Sequence, residues 1–194
     1  RIRSALESLA GTLNDLGHRV TADDPAYGLA GLSFLPRAMT GVRDLGRTLP
    51  DISSLDRRTR SALRTGRLLR PALGAARAME PLVRNSIGRI FDRYDVVLAP
   101  TTALPPPTIG YLDGLNRWRT DRAVLAACPY AWPWNVVGWP AINVPAGIVD
   151  GDLPIGASLL GPPNSEALLL SLSAQIEEVE QWHRRTPNDA VCAS

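Results

Sequence analysis

Four side chains that follow Pro129 are the best candidates for binding chemistry in this sequence. Tyr130, Trp132, Trp134 and Asn135 lie close together, and Trp139 follows shortly after. The surrounding prolines disfavour a long helix, so we interpret the segment as an irregular, aromatic loop. Loops held by a rigid scaffold often line pockets. The alternative is structural: the Trp side chains fill a core, and Asn135 hydrogen-bonds to nearby backbone.

Catalytic and metal-binding residue types are scarce. All 21 basic residues are Arg, so the chain contains no Lys that could serve as a general base or form a Schiff base. His18 and His183 have no ligand partner at metal-binding spacing, and Cys128 and Cys192 do not form a Cys-x-x-Cys pair. Phosphate- and dinucleotide-binding glycine motifs are missing as well. The sequence therefore predicts neither a metal site nor a cofactor.

Composition excludes some classes of protein and leaves others open. A formal net charge of +2 over 194 residues selects no partner by bulk electrostatics. Two Cys cannot make a disulfide framework, which favours a reducing, cytoplasmic location. No apolar run reaches about 18 residues, so we expect no membrane span.

The second half of the chain contains the clearest strand signals. A short apolar run at 95–99 ends at Pro100, which is typical of a strand buried on both faces. Two further apolar runs, at 141–149 and 153–160, are separated by Asp-Gly-Asp and predict a β-hairpin. A helix at 120–128, beginning near Thr120 or Asp121, leads into the aromatic loop. A last helix begins at Asn164 or Ser165 and runs to about 181, and its predicted buried stripe is Leu168, Leu172, Ile176 and Val179, widened by Leu169 and Leu170.

The first half reads as mostly helical. Leucines at helical spacing predict a helix over 1–17 that ends at Gly17. Residues 18–21 are predicted to form a short strand. Short helices are plausible at 27–35 and 37–45. Residues 55–93 are helical with breaks near Pro71 and Pro81, and they are rich in Arg. Clustered Arg can bind nucleic acid, but aromatic residues are nearly absent and no recognition motif is present, so we interpret the run as a solvated helix face.

The region from 134 to 177 resembles the C-terminal part of the amidase signature family. An Asn-x-x-Gly-x-Pro-Ala run leads into a Val-Pro-x-Gly strand, and a Leu-Pro-x-Gly strand, a Gly-Pro-Pro turn and a helix ending in Glu follow. The Asp-x-x-x-x-Pro-Thr run at 95–101 is similar to the family too. Ser158 is a departure, because members often have Gln there. The matching positions are Asn135, Gly138, Pro140, Ala141, Val144, Pro145, Gly147, Leu153, Pro154, Gly156, Gly161 and Glu177.

This resemblance implies an α/β protein, the C-terminal part of the amidase signature fold, with a mixed β-sheet covered by helices. Residues 1–194 would be the C-terminal portion of a single amidase domain. Within it, 1–21 would form an αβ unit and 22–93 a helical cover. Residues 94–182 would supply the strands, the Trp-rich loop, the hairpin and the last helix.

The resemblance also implies an activity whose catalytic residues are not in this chain. Family members hydrolyse an amide to a carboxylate and ammonia with a nucleophilic Ser, a second Ser on a cis peptide and a Lys base. Arg stays charged and cannot replace that Lys, and the one Ser-Ser pair, Ser53-Ser54, lacks flanking Gly. We therefore expect the C-terminal fragment of an amidohydrolase acting on linear, monocarboxylic acid amides, inactive alone. Tyr130, Trp132, Trp134 and Asn135 would belong to one wall of its acyl pocket and favour apolar or aryl acyl groups.

A fragment of this kind should expose apolar surface and need a partner. The expected partner is the missing N-terminal catalytic half of the same protein, or a second copy, and the expected ligand is a small amide rather than nucleic acid or membrane. A helix that begins at the first residue without a capping residue agrees with this expectation. Three alternatives stay open: the amidase-like subunit of a tRNA-dependent amidotransferase, a non-catalytic binding or scaffold module, and a nucleic-acid-binding domain that uses residues 55–93.

Overall fold

The structure is a computed structural model, and it describes residues 1–149 and 153–184. The chain forms two units, each with its own interior. The first unit contains residues 1–23, 95–105 and the chain from Trp139 onward, and the second contains residues 24–94 and 106–138.

The first unit is built on a three-stranded antiparallel sheet. The strands are β1 (Val97–Pro100), β2 (Ala141–Val149) and β3 (Leu153–Leu160), in the order β1-β3-β2. The predicted hairpin is confirmed, with Ala141 opposite Leu160 and Val149 opposite Leu153, while its turn at 150–152 lies outside the described residues. Among the described residues the three strands are antiparallel throughout. The prediction of a strand buried on both faces is wrong for β1, because only Ala99 is buried and its other residues are partly exposed.

Two helices cover one face of this sheet. They are α1 (Ile2–Asp15) and α8 (Glu166–Glu180), and they pack on the sheet through a shared apolar core. Gly17 follows α1 with a φ of 91°, which confirms it as the residue that ends this helix. The core residues are Leu9, Leu13, Val144, Ala157, Leu159, Leu169, Leu172 and Ile176.

Three local predictions in this unit are corrected. Residues 18–21 form no strand and pair with none of the described strands, and the Val20 N–H donates to Asn14 Oδ1 at 3.2 Å instead. In the predicted stripe of α8, Leu169, Leu172 and Ile176 are buried, whereas the exposed residues are Leu168 (44%), Leu170 (62%) and Val179 (55%). Ser165 is the N-cap residue, but its hydroxyl donates to the Pro162 carbonyl at 2.7 Å and does not cap a helix N–H.

The second unit is helical. Its six helices, as described, are α2 (Ala30–Gly46), α3 (Arg57–Leu69), α4 (Leu73–Ala78), α5 (Glu80–Gly88), α6 (Arg117–Ala127) and α7 (Ala131–Val137). The predicted breaks are confirmed: Pro71 lies in a 3-10 turn at 70–72, and Pro81 lies at the start of α5. The start of α6 differs from the prediction, because the Asn116 side chain caps it by accepting from the Arg119 N–H at 3.0 Å.

The helix α2 runs through Pro36, although the sequence predicted two short helices there. A proline inside a helix costs about 3 kcal/mol, because it removes a backbone hydrogen bond and crowds the preceding turn. Packing against neighbouring helices offsets that cost. The buried Ser33 hydroxyl donates to the Ala76 carbonyl of α4 at 2.9 Å, and Gly66 of α3 lies against the backbone of α2 at Met39.

Candidate functional site

The four predicted site residues lie on α7 or at its start, not on an irregular loop. Tyr130 is the N-cap residue of this seven-residue helix, and Gly138 ends it with a φ of 65°. Pro133 is the third helical residue, where the backbone N–H has no intrahelical partner to lose. The prolines therefore set the start of the helix and its short length instead of preventing it.

Trp134 is part of the interior of the second unit. Its side chain is 3% exposed, and its ring stacks on Phe91 with a centroid distance of 6.1 Å and an interplanar angle of 18°. Val136 and Val137 are buried beside it in the chain. Trp134 thus holds α7 in place and cannot itself face an open site in this conformation.

Trp132 is half-buried and contacts α2. Its ring centroid lies 5.3 Å from that of Phe34, at an interplanar angle of 44°. A Cβ added at Gly31 would lie 3.7 Å from the Trp132 ring, which is ordinary van der Waals contact. The α2 helix therefore positions Trp132 through one aromatic ring and one small residue, and part of the indole stays accessible.

Tyr130 is half-buried and lies near a second phenol, that of Tyr27. Burial raises the pKa of the Tyr27 phenol, and the nearby Asp24 carboxylate and Tyr130 phenol raise it further. Tyr27 therefore remains a neutral hydrogen-bond donor well beyond neutral pH. Sequence reasoning missed Tyr27 and Asp24, because they lie about 100 residues before Tyr130 and no local motif marks them.

Asn135 is exposed, between two buried neighbours on α7. No described residue forms a hydrogen bond with its side chain, so the expected structural role as a partner of nearby backbone is not seen. A primary amide has two donors and an acceptor. Asn135 is therefore a polar group that is available to a ligand or to another part of the protein.

An open cleft of about 380 Å³ lies in the same unit, but none of the four predicted residues lines it. It adjoins the 24–28 segment that carries Tyr27. The Ser86 hydroxyl donates to the Ala26 carbonyl at 2.7 Å and ties this segment to α5. The lining residues are Asp24, Ala26, Ser86, Arg89, Ile90, Asp92 and Arg93.

The Ser53-Ser54 pair has a structural role. The Ser53 hydroxyl donates to Asp51 Oδ2 and the Ser54 hydroxyl donates to the Asp51 carbonyl, both at 2.8 Å. Both serines are exposed in a turn. These bonds stabilise the turn before α3. The Ser53 hydrogen bonds also lower the pKa of the Asp51 carboxyl, so neither hydroxyl has a base strong enough to make it a nucleophile.

Residues 1–149 and 153–184 contain no group of three or more His, Cys, Asp or Glu side chains that could hold a metal ion. They also contain no helix that is both long and apolar enough to cross a membrane.

Comparison with known proteins identifies the family of this chain. The family model described as Amidase matches residues 2–170. AmiA2 of Mycobacterium tuberculosis, a protein named as an amidase, is 47% identical over 188 residues, which are 96% of this chain and 39% of AmiA2. The chain thus spans about two fifths of the length of this relative.

Solved structures support the same fold. The structure of 6-aminohexanoate cyclic dimer hydrolase superposes with a TM-score of 0.81 at 22% identity, over 96% of this chain and 43% of the hydrolase. A bacterial aryl acylamidase of the amidase signature family superposes with a TM-score of 0.70 at 18% identity, over 94% of this chain and 41% of its own.

The chain belongs to the amidase family, and it corresponds to a C-terminal portion of an amidase with the α/β amidase signature fold. This confirms the family and the fold class that the sequence predicted.

Proposed function

We propose that the protein to which this chain belongs hydrolyses a carboxamide to a carboxylate and ammonia through an acyl-enzyme. The family match over residues 2–170 supports this most strongly. The chain spans 39% of AmiA2 and contains no Lys. In this proposal the nucleophilic Ser, the cis-Ser and the Lys base belong to the remaining part of the amidase, and this chain alone is inactive.

The contribution of this chain is one wall of the acyl pocket, formed at the start of α7. Tyr130 and Trp132 are partly accessible and Asn135 is exposed, so each can contact a ligand. Trp134 acts one layer behind them, since it is buried against Phe91. The wall then has an aromatic surface with one amide, which suits linear amides of apolar or aryl acyl groups.

Tyr27 extends this wall. Its raised pKa keeps the phenol protonated, so it can donate a hydrogen bond beside Tyr130. The Tyr27 and Tyr130 hydroxyls and the Asn135 amide orient a polar substrate group, while Trp132 supplies apolar contact.

A chimera tests both the proposed amide hydrolysis and the proposed wall of the acyl pocket. This chain replaces the matching segment of AmiA2, and ammonia release is measured with aryl and short aliphatic amides. Trp132→Ala should lower kcat/KM for the aryl amide about tenfold more than for the aliphatic amide. Trp118→Ala, which removes a 75% exposed Trp on α6, is the matched control. An unchanged preference in Trp132→Ala would contradict the pocket wall, and a need for ATP and a second subunit would indicate an amidotransferase instead.

A further inference from the structure

Positive charge is concentrated in one short region of the chain. Residues 57–79 contain seven Arg and no Asp or Glu, whereas the rest of the chain contains 14 Arg and 19 Asp or Glu. The formal net charge of +2 therefore combines a region of +7 with a remainder of −5. Charge that is separated in this way creates a local positive potential, which a charged partner can recognise.

The α3 helix arranges four of these Arg in one line, since they recur at intervals of three and four residues. The contact of Gly66 with the α2 backbone fixes which face of α3 is turned toward α2 and which is turned away from it. The line extends over about 15 Å, at about 1.5 Å per residue. Its members, called here the arginine stripe, are all exposed, and they are Arg57, Arg60, Arg64 and Arg67.

Most of the arginine stripe has no counterion among the described residues. Arg60 donates to the Ser53 carbonyl at 3.3 Å, while Arg57, Arg64 and Arg67 form no ion pair with a described residue. Covering these guanidinium groups with a neutral surface would be costly, because each would lose its hydration without gaining a partner. Whatever covers the arginine stripe must therefore be anionic.

Carboxylates at the two ends of α3 are already engaged. Asp56 accepts hydrogen bonds from the Arg58 and Thr59 N–H groups, at 2.7 and 3.2 Å, and so caps the start of the helix. Asp44 of α2 pairs with Arg43 at 2.7 Å and lies 3.7 Å from Arg70. These carboxylates leave the middle of the arginine stripe without a negative neighbour.

An exposed apolar side chain lies on the same face of α3. Leu68 follows Arg64 by four residues, which places the two on one side of the helix, and it is 79% exposed. A single exposed Leu is ordinary on a protein surface. Leu68 becomes informative because a second apolar group adjoins the same helix.

That second group is the turn at 108–113. Arg58 Nη2 donates to the Leu112 carbonyl at 3.0 Å, which brings the turn to the start of α3. Within the turn, Ile109 is fully exposed and Tyr111 is 58% exposed. Exposed cations, aliphatic side chains and an aromatic side chain therefore occur together on and beside α3.

Two kinds of polyanion carry phosphates that Arg binds well, namely nucleic acids and anionic membranes. A nucleic-acid backbone offers no apolar medium to Leu68 or Ile109. The boundary between the headgroups and the acyl chains of a bilayer accepts basic and aliphatic side chains together, and Tyr is enriched there. The combination of side chains therefore favours an anionic membrane.

We propose that the arginine stripe, with Leu68 and the turn at 108–113, is a docking surface for a membrane that contains anionic phospholipids. The guanidinium groups contact lipid phosphates, and Leu68 and Ile109 reach the boundary of the acyl chains. The sequence alone predicted a solvated face and no membrane partner. The exposure of these apolar side chains beside the Arg residues, which only the fold reveals, changes that expectation.

Co-sedimentation with lipid vesicles tests the proposal. The 194-residue chain is mixed with vesicles of phosphatidylcholine, or of phosphatidylcholine and phosphatidylglycerol in equal parts, and the bound fraction is measured against lipid concentration. Binding to the anionic vesicles should be at least about tenfold tighter than to the neutral ones. It should also weaken as salt is added, because the attraction is between exposed charges.

A charge-matched pair of variants locates the surface. Arg64→Gln combined with Arg67→Gln should weaken binding to anionic vesicles at least about tenfold, since each Arg near such a surface contributes about fivefold. Arg3→Gln combined with Arg19→Gln is the control, because it removes the same charge from exposed positions outside the arginine stripe. Circular dichroism and the melting temperature establish that each variant is folded.

Leu68 provides a test that leaves the charge unchanged. Leu68→Ser should weaken binding to anionic vesicles about threefold to tenfold, because it removes apolar contact with the bilayer. The salt dependence of binding should stay the same. Leu170→Ser is the control, since Leu170 is 62% exposed on α8.

Several results would overturn the inference. These are no binding to either kind of vesicle, equal binding to both, or equal loss in the Arg64 and Arg67 variant and its control. Tighter binding to duplex DNA than to anionic vesicles at matched phosphate concentration, unaffected by Leu68→Ser, would make nucleic acid the partner, which also overturns it. Vesicle binding with the expected pattern would leave the docking surface standing even if the AmiA2 chimera released no ammonia.

Discussion

Gly66 of α3 lies directly against the main-chain carbonyl of Met39 in α2. A Cβ at position 66 would lie 2.8 Å from the Met39 carbonyl carbon and 2.9 Å from Arg43 Cβ. Because backbone atoms cannot move aside as a flexible side chain can, only glycine allows this approach. The contact brings α3 against the helix whose Phe34 positions Trp132.

Gly66→Ala should therefore destabilise the second unit by about 1–3 kcal/mol through overpacking. Gly74→Ala is the matched control, since it also lies in a helix but its added Cβ meets nothing within 4 Å. That variant should be neutral or stabilising by about 0.4–1 kcal/mol. Urea unfolding followed by circular dichroism measures both, and equal effects would contradict the tight contact.

Trp134→Ala should lower the unfolding free energy by about 3–5 kcal/mol. It removes a large buried side chain, and with it the ring that stacks on Phe91. Trp132→Ala removes a half-buried ring and should cost less, about 1–2 kcal/mol. The same urea experiment ranks the two variants. A larger loss of unfolding free energy in Trp132→Ala than in Trp134→Ala would mean that Trp132, not Trp134, holds α7 in place.

Stability should fall at high pH in part through Tyr27. Its raised pKa means that the folded chain holds the phenol proton more tightly than the unfolded chain does. This contribution is complete below about pH 10, the ordinary Tyr value, and is lost as the pH rises through the higher folded value. Tyr27→Phe should therefore lose less stability above pH 10 than the wild type.

The composition makes that titration simple to follow. The chain has four Tyr and no Lys, so phenols dominate the groups that lose protons near pH 10. Chemical unfolding at a series of pH values, with tyrosinate absorbance as a second signal, measures the effect. Tyr111→Phe, at an exposed position, controls for the loss of any one phenol. Identical pH curves for Tyr27→Phe and the wild type would contradict the partly buried position of Tyr27 beside Asp24.

The hairpin could be predicted because its information is local. Two β-compatible runs of matching length flank an Asp-Gly turn signal, and the observed strands have the predicted bounds, 141–149 and 153–160. Most of the residues that resemble the amidase signature family also lie in or beside this hairpin. The α7 helix could not be predicted in the same way, since the effect of Pro133 depends on whether it falls in the first turn or later.

Other features depend on contacts distant in sequence. Tyr27 approaches Tyr130 only in the folded chain, and Pro36 is accepted within α2 only because α3 and α4 pack on that helix. The buried side of α8 was predicted too wide, with Leu168 and Leu170 as well as Leu169, because a leucine run satisfies more than one helical face. The cytoplasmic location, the partner and the substrate-binding roles stay predictions.

Ammonia release by the AmiA2 chimera is the most direct test of the central claim, that this chain is the non-catalytic C-terminal part of an amidase. The chimera carrying this chain should release one ammonia per carboxylate formed, without ATP. The 194-residue chain alone should release no ammonia above background. Release by the isolated chain would contradict it. So would a well-folded chimera that hydrolyses no linear amide under conditions in which AmiA2 itself does.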